Sequence, residues 1–311
     1  MSNTKIVVLG TGGTIAGLAS QPGNALDYTA AAQGVEQLLT GLQLPGIDLV
    51  SEQVAQIDSK DMVPQVWQQL ASRVGWWLAQ ADVRGLVITH GTDTLEETAY
   101  FLHALVQPAK PVVLTCAMRP ANALLADGPQ NLADAVTVAA YAGAQGVSVV
   151  CAGAVHCGLD VQKAHTWKLD AFSSGDAGPL GQVVAGRLFL NRNWPLATAE
   201  SQQAAIEKVA RQKNWPRVEI VMNHAGADGA IVRALVRDGV QGMVVAGTGN
   251  GTLHHALEDA LLQAQAAGIR VVRASRCAQG RVLAKPSDRL PDSKGLSPVK
   301  ARIALMLALM D

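Results

Sequence analysis

Short aliphatic runs alternate with longer helical patterns, and this alternation is the feature that most constrains the fold. Strands are predicted over residues 6–9, 48–57, 85–89, 112–115 and 147–152, and helices over residues 31–42, 64–81, 94–106 and 129–144. Strands that alternate with helices in this way form mostly parallel, doubly wound sheets with right-handed crossovers. The sequence therefore predicts an α/β protein.

A second, shorter alternation follows near the C-terminus. Its elements are strand 218–222, helix 227–237, strand 242–246, helix 252–267, strand 270–274 and helix 299–309. Between the two alternations, regularity lapses from about residue 154 to 195, with short β-like pieces at 182–184 and 187–190. We predict a larger N-terminal α/β domain over residues 1–196, a linker over 197–215 and a smaller C-terminal α/β domain over 216–311.

The charge balance argues against a nucleic acid or an anionic membrane as the main partner, because 25 basic residues offset 25 acidic ones. No stretch approaches the roughly 18 apolar residues that a membrane helix needs. The N-terminal residues carry no pattern of a secretory leader. We therefore expect a cytoplasmic protein, or a periplasmic one if this sequence is that of a mature form.

Motifs for metals and cofactors do not occur. The four cysteines form no CxxC pair, so neither zinc nor a disulfide framework is indicated. The glycine-rich turn from Gly10 fails the dinucleotide fingerprint, because Ile15 stands where a third glycine or alanine is needed. HExxH and GxSxG motifs are also missing from the sequence. We expect no cofactor and no metal.

Two threonine-rich turns each follow a predicted buried strand. Thr14 lies in TGGTIAG at residues 11–17, and Thr92 lies in THGTDT at residues 89–94. Ligands of open α/β sheets bind at the carboxyl ends of the strands, and glycines let the backbone approach a small substrate. Two hydroxyls so placed suggest nucleophiles for acyl transfer. The alternative is that each threonine caps a backbone group in a tight turn.

Polar residues near these turns have two interpretations each. Tyr28 ends a loop-like stretch, residues 18–27, which either closes over a site as a lid or lies on the surface with the tyrosine packed on a helix. Asp93 either caps a helix or binds an ammonium group, and Ser59 either forms a turn or binds a carboxylate. Thr94 and Glu97 match a capping box, which predicts a structural role for Thr94.

With these turns the chain resembles the bacterial-type L-asparaginases, the asparaginase/glutaminase family. The motifs that match the family follow in order nearly from end to end: TGGTIAG at 11–17, DSKDM at 58–62, THGTDTLEETA at 89–99, MRP at 118–120, DGPQNL at 127–132, DVQK at 160–163, GPLG at 178–181, GTGNG at 247–251 and SPVKAR at 297–302. The family fold, a larger N-terminal and a smaller C-terminal α/β domain, agrees with the predicted boundaries.

The resemblance implies a metal-free amidohydrolase that converts L-asparagine to L-aspartate and ammonia. By the same resemblance, Thr14 is the nucleophile that forms an acyl-enzyme, and Tyr28 assists it. Thr92, Asp93 and Lys163 form a second hydroxyl–carboxylate–amine constellation. Glutaminase-asparaginase activity of broader range and a non-catalytic amino-acid-binding protein are the alternatives.

The resemblance also implies how the substrate is held. Ser59 would bind the α-carboxylate and Asp93 the α-ammonium, while backbone amides near Thr92 and Ala117 would stabilise the oxyanion. Family members are homotetramers built from intimate dimers, so we expect a homotetramer. The asparagine-to-glutamine preference does not follow from the sequence.

The chain departs from the family pattern at a few positions. Lys60 follows Ser59 where many members have a neutral or acidic residue, and an inward ammonium would repel the substrate ammonium by about 4 kcal/mol at 4 Å and an effective dielectric of about 20. Lys60 must therefore turn to solvent, or substrate affinity suffers. Thr252 stands where secreted members often have Asn or Ser. Some members place an acidic residue against a neighbouring subunit's tyrosine, and this chain has no clear equivalent of it: either Asp288, Asp292 or neither takes that role.

Overall fold

The computed structural model describes residues 4–21, 23, 26–195 and 202–310. These residues group into two compact units, one within Met1–Arg211 and the other within Gln212–Asp311. Among the described residues, every helix is too short or too polar to cross a bilayer.

The first unit is built on an eight-stranded sheet with helices on both faces. Its elements in chain order are β1 Thr4–Gly12, β2 Leu18–Ala19, β3 Tyr28–Thr29, α1 Val35–Leu39, β4 Ile47–Ile57, α2 Pro64–Leu78, β5 Val83–Thr89, α3 Leu95–Val106, β6 Val112–Thr115, α4 Gly128–Ala140, β7 Val147–Cys151, β8 Ala154–Cys157, β9 Gln162–Lys163, β10 Phe172–Ser173, β11 Gly181–Val184, β12 Arg187–Leu190 and α5 Gln202–Arg211.

The strand order of the large sheet is β12-β11-β8-β7-β6-β5-β1-β4. The five strands from β4 to β7 run parallel, and β8, β11 and β12 extend the sheet by antiparallel pairs. Parallel strands covered on both faces are continuously apolar, as Ile6–Leu9 in β1 are, all fully buried. Alternate residues of β1, Ile6 and Val8, share one core with α4. The prediction of a mostly parallel α/β sheet is confirmed.

Two parts of the first unit differ from the sequence prediction. The helix predicted over residues 31–42 is only α1, because Ala31 has a left-handed φ of 53° and Gly34 is extended. The Ala31 amide instead donates to the Gly13 carbonyl. The irregular stretch from residue 154 also contains β8 and the two-residue strands β9 and β10, which are too short to show a period. The pieces predicted at 182–184 and 187–190 are β11 and β12.

The second unit contains all six elements predicted for it, with small shifts at their ends. They are β13 Val218–Met222, α6 Ala230–Arg237, β14 Gly242–Gly247, α7 His255–Ala266, β15 Arg270–Ser275 and α8 Pro298–Ala308. The three strands form a parallel sheet in the order β13-β14-β15. Its core on the side of α6 and α7 is made by residues such as Met243, Val245 and Leu261. This smaller α/β unit agrees with the predicted fold class.

The segment predicted as a linker, residues 197–215, is described only from residue 202. Residues 197–201 lie outside the described part of the chain. Helix α5 groups with the first unit, where Gln68 Nε2 of α2 donates to the Val209 carbonyl at 2.9 Å. The limits 1–196, 197–215 and 216–311 therefore stay a prediction, with α5 on the side of the larger unit.

Candidate active site

The carboxyl ends of four adjacent strands bring together four predicted site residues. In the order β4-β1-β5-β6, these strands are followed by Ser59, Thr14, Thr92 and Ala117. Parallel strands end at the same edge of a sheet, so residues that are distant in sequence become neighbours. All four are buried, with exposed fractions between 0% and 7%.

Thr14 and Tyr28 are in direct contact. Thr14 opens a single 3₁₀ turn after β1, and its Oγ1 lies 2.7 Å from Tyr28 Oη, with either hydroxyl able to donate. Tyr28 begins β3, whose antiparallel partner is β2. Gly17 lies beneath the tyrosine ring, where a Cβ would approach Cδ2 to 2.9 Å. The hairpin formed by β2 and β3 thus delivers the phenol to the Thr14 hydroxyl.

Thr92, Asp93 and Lys163 form a second hydrogen-bonded group. Lys163 Nζ donates to Thr92 Oγ1 at 2.9 Å and to Asp93 Oδ1 at 2.6 Å. The lysine side chain is only 18% exposed, whereas that of Asp93 is 54% exposed. The Lys163 backbone amide also donates to Glu96 Oε2 at 3.2 Å. Because the lysine occupies an oxygen lone pair of Thr92, the hydroxyl proton of Thr92 is available to another acceptor.

Two glycines bring the two threonine turns into backbone contact. A Cβ on Gly13, whose φ is +82°, would lie 2.3 Å from Gly91 Cα. A Cβ on Gly91 would lie 2.5 Å from Ser59 Oγ. Any larger residue at these positions would push apart the turns that carry Thr14, Thr92 and Ser59.

Ser59 is held against the second turn by its side chain and its backbone. Its Oγ accepts a hydrogen bond from the Asp93 amide at 3.2 Å, and its carbonyl accepts one from Thr94 Oγ1 at 2.7 Å. The capping role predicted for the Thr94 side chain is therefore wrong: Thr94 precedes α3, but its hydroxyl makes no capping hydrogen bond. The Thr94 hydroxyl donates to a tertiary acceptor instead of accepting from a backbone amide of its own helix.

Lys60 takes the first of its two predicted alternatives and turns to solvent. Its ammonium donates to Asp58 Oδ2 at 2.8 Å and to Asp61 Oδ2 at 3.0 Å, and its side chain is 61% exposed. Hydrogen bonds to Asp58 and then to Asp61 raise the pKa of Lys60 above its ordinary value. Asp58 and Asp61 thus hold the Lys60 ammonium on the solvent side of the turn that carries Ser59.

The turn after β6 is fixed by a carboxylate and an amide. The Asp127 side chain accepts from the backbone amides of residues 118–119, each at 2.9 Å. Asn131 Nδ2 donates to the Cys116 carbonyl at 2.9 Å. These bonds fix the backbone on both sides of Ala117. In the sequence, the DGPQNL motif indicated only the family resemblance, and the structural role of Asp127 and Asn131 was not predicted.

His90 also escaped the sequence analysis, although it lies within the second threonine motif. It is fully buried, with Nδ1 2.7 Å from the Gly91 carbonyl and Nε2 2.9 Å from Thr98 Oγ1. Burial lowers the pKa of His90 to about 4, while the bond to Gly91 opposes this shift. The neutral imidazole therefore supports the turn from within the core.

In the second unit, the residues at which the sequence departs from the family pattern contact neighbours within their own unit. Thr252 Oγ1 lies 2.9 Å from Thr248 Oγ1. The Asp288 carboxylate accepts from Arg273 and from the Lys285 amide, and these bonds lower its pKa, the latter most strongly. Asp292 Oδ1 accepts from the amide of the residue two positions later. Asp288 is thus bonded to groups of its own unit, and the role predicted for either aspartate at a neighbouring subunit stays a prediction.

Comparison with known families accounts for almost the whole chain. The family model described as "Asparaginase, N-terminal" matches residues 5–196, and the one described as "Glutaminase/Asparaginase C-terminal domain" matches residues 217–311. The chain therefore belongs to the asparaginase/glutaminase family, which confirms the resemblance seen in the motifs.

Individual relatives agree with this assignment. The chain is 40% identical to L-asparaginase 2 of Escherichia coli K12, over 98% of this chain and 88% of that protein. It is 38% identical to a glutaminase-asparaginase of Pseudomonas fluorescens biotype A, over 98% of this chain and 86% of that protein. The crystal structure of a probable cytoplasmic L-asparaginase from Campylobacter jejuni superposes with a TM-score of 0.91 at 37% identity, covering 99% of this chain and 96% of that one.

Proposed function

We propose that this protein is an L-asparaginase, which hydrolyses the side-chain amide of L-asparagine to L-aspartate and ammonia. The observation that carries the proposal is that two threonine hydroxyls on adjacent turns each have a hydrogen-bonding partner. Thr14 Oγ1 lies 2.7 Å from Tyr28 Oη, and Thr92 Oγ1 accepts from Lys163 Nζ at 2.9 Å. A buried nucleophile with a hydrogen-bonding partner next to a second polarised hydroxyl suits acyl transfer to and from a carboxamide.

In the first chemical step, Thr14 Oγ1 attacks the amide carbon. A neutral hydroxyl is a weak nucleophile, so its proton must leave as the bond forms. Tyr28 Oη is placed to receive that proton in a relay that ends on the departing nitrogen. The products of this step are ammonia and an aspartyl ester of Thr14.

In the second step, water attacks the ester carbon and the Thr14 oxygen leaves. One water proton passes through Tyr28 Oη to Thr14 Oγ1 and restores the hydroxyl, while the other stays on the new carboxyl group and is then lost to solvent. Thr92 Oγ1, fixed by its bond from Lys163 Nζ on the adjacent turn, is suited to hold that water. The positive N-terminal end of α3, a helix of 12 residues that begins just after Asp93 and Thr94, favours negative charge on the same side. The Ala117 and Thr92 amides are proposed to stabilise the oxyanion in both steps.

The substrate's two charged ends are proposed to bind at Ser59 and Asp93. The Ser59 hydroxyl is buried beside the Asp93 amide and suits an α-carboxylate. Asp93 is half exposed, and Oδ1 is bonded to Lys163, so Oδ2 can accept from an α-ammonium. Holding both ends places the amide carbon beside Thr14 and contributes to rate through proximity.

The proposal is tested by ammonia release from L-asparagine by the purified protein. Thr14→Ala and Thr92→Val should each lower kcat strongly, by at least about 10². Full activity in Thr14→Ala would remove that residue from the nucleophile role. Tight binding of aspartate in calorimetry without ammonia release by the unsubstituted protein would favour the non-catalytic alternative.

Glutaminase-asparaginase activity is a second candidate, since the Pseudomonas fluorescens relative bears that name. The two candidate functions predict different ratios of kcat/KM for asparagine to kcat/KM for glutamine, both measured on the same preparation. Similar values would support the broader enzyme, whereas a ratio of 10² or more, about 3 kcal/mol of discrimination, would support an asparaginase.

The assembly and the compartment are proposals as well. We propose a homotetramer made of intimate dimers, which sedimentation equilibrium would test, a stable monomer being the contradicting result. We also propose a cytoplasmic location, in line with the name of the Campylobacter jejuni protein. A relative from Haemophilus influenzae, 37% identical, is named a probable periplasmic L-asparaginase, so fractionation of the native host is the deciding measurement.

A further inference from the structure

Asn122 makes a two-pronged contact with the hairpin that carries Tyr28. Its Oδ1 accepts from the Ala19 amide at 2.7 Å, and its Nδ2 donates to the Ala19 carbonyl at 2.9 Å. The neighbouring Ala121 amide donates to the Gly17 carbonyl at 2.8 Å. These three bonds place residues 121–122 along the outer edge of β2 in the way that a third strand would.

The position of the contact matters because Ala19 is the strand partner of Tyr28. The two residues are paired across β2 and β3, and each strand is only two residues long. An isolated two-stranded hairpin is marginally stable in water. The hairpin therefore gains order from the side that faces Asn122, and Tyr28 Oη lies 2.7 Å from Thr14 Oγ1 in this arrangement.

The loop that carries Asn122 is itself anchored near the site. The Asp127 carboxylate binds the amides of residues 118–119, and the Arg119 guanidinium donates to the Leu125 carbonyl at 2.8 Å. Asn122 thus joins the hairpin to the turn that contains Ala117. A shift of either segment would be transmitted to the other through the two hydrogen bonds between the Asn122 side chain and Ala19.

We propose that Asn122 is a positioning residue, which holds Tyr28 against Thr14 by clamping Ala19. Asn122 does not contact either hydroxyl; it acts through the pairing of Ala19 with Tyr28. This inference rests on the proposed function, because it assumes that the Tyr28 hydroxyl takes part in acyl transfer. It assigns a role in the reaction to an exposed loop residue.

The test is a double-mutant cycle with Asn122→Ala and Tyr28→Phe, read as kcat and KM for asparagine. Losing two hydrogen bonds at this exposed residue should lower the equilibrium constant for the ordered hairpin by about tenfold. Because such a hairpin is only marginally stable, kcat of Asn122→Ala should fall by up to about that factor. KM should stay within about twofold, because Ser59 and Asp93 are unaffected. In the Tyr28→Phe background, the Asn122→Ala change should have no further effect on kcat.

Gln80→Ala is the matched control. Gln80 is a partly exposed residue of the first unit, and its side-chain Nε2 donates to a backbone carbonyl, that of Trp76, at 2.9 Å. It lies just before β5, at the strand's amino end and so at the edge opposite the site. The control variant should keep the kcat of the unsubstituted protein, and both amide variants should keep its thermal midpoint.

Each other outcome overturns a defined part of the account. An unchanged kcat in Asn122→Ala, or equal losses in both backgrounds, overturns the positioning role while leaving the threonine chemistry intact. An undiminished kcat in Tyr28→Phe overturns the role of Tyr28 and this inference with it. If Asn122→Ala does not fold, Asn122→Asp takes its place in the cycle, since it keeps the acceptor for the Ala19 amide and loses the donor.

Discussion

Two buried histidines should make the first unit sensitive to acid. His90 is fully buried and His156 is 4% exposed, and burial lowers the pKa of each to about 4, with Arg192 adding to the shift of His156. An unfolded histidine titrates near 6.5, so the unfolded chain binds more protons than the folded one between about pH 6.5 and 4. Stability contributed by the neutral imidazoles is therefore complete above pH 6.5 and is lost as the pH falls to 4.

The magnitude follows from the two pKa values. A difference of about 2.5 pKa units corresponds to about 3 kcal/mol of unfolding free energy for each histidine across this range. The buried Asp134 opposes the trend, because burial raises the pKa of its carboxyl group and protonation stabilises its folded form. Comparing a histidine variant with the unsubstituted protein cancels the contribution of Asp134.

His156→Asn is the most informative variant, because an asparagine amide can replace imidazole Nδ1 in its 2.8 Å hydrogen bond to Ser174. Urea unfolding at several pH values between 7.5 and 4.5, followed by tryptophan fluorescence, gives the unfolding free energy of both proteins. The variant should lose up to about 3 kcal/mol less than the unsubstituted protein over this range. Identical pH dependences would refute the assignment of acid sensitivity to His156.

Three further predictions concern local geometry. Gly13→Ala should abolish measurable turnover, because its Cβ would lie 2.3 Å from Gly91 Cα, whereas Gly34→Ala, with its closest contact at 3.6 Å, should retain activity; comparable kcat values would contradict this. Lys60→Gln should change KM for asparagine less than about threefold, since two carboxylates already bind the lysine. A tenfold change would show that its charge reaches the substrate. Ellman's reagent should label one thiol rapidly, the exposed Cys277, and the other three only after denaturation.

The sequence was sufficient to predict the strands that carry the site. Residues 6–9 and 85–89 are apolar, short and followed by glycine turns, which predicts buried parallel strands with a ligand edge. The spatial order β4-β1-β5-β6 is not contained in that pattern, because chain order does not determine which strands become neighbours. Contact between the Thr14 and Thr92 turns is therefore a result of the topology.

Tertiary contacts explain what the sequence analysis missed. The helix predicted from residue 31 is interrupted because the Ala31 amide bonds to Gly13, and the Thr94 hydroxyl bonds to Ser59 instead of capping α3. Asn122 gives no local signal, because an asparagine in a loop is common and its partner, Ala19, lies more than a hundred residues away. Such contacts become visible only once the elements are placed in space.

The nucleophile is the central claim, and trapping the acyl-enzyme tests it most directly. Acid quenching during turnover of L-asparagine, followed by peptide mass spectrometry, should find the mass of an aspartyl group on the peptide that contains Thr14. The Thr14→Ala protein should carry no such group and should release ammonia at a rate lower by at least about 10². An aspartyl group on Thr92, or ammonia release at the full rate by Thr14→Ala, would contradict the account.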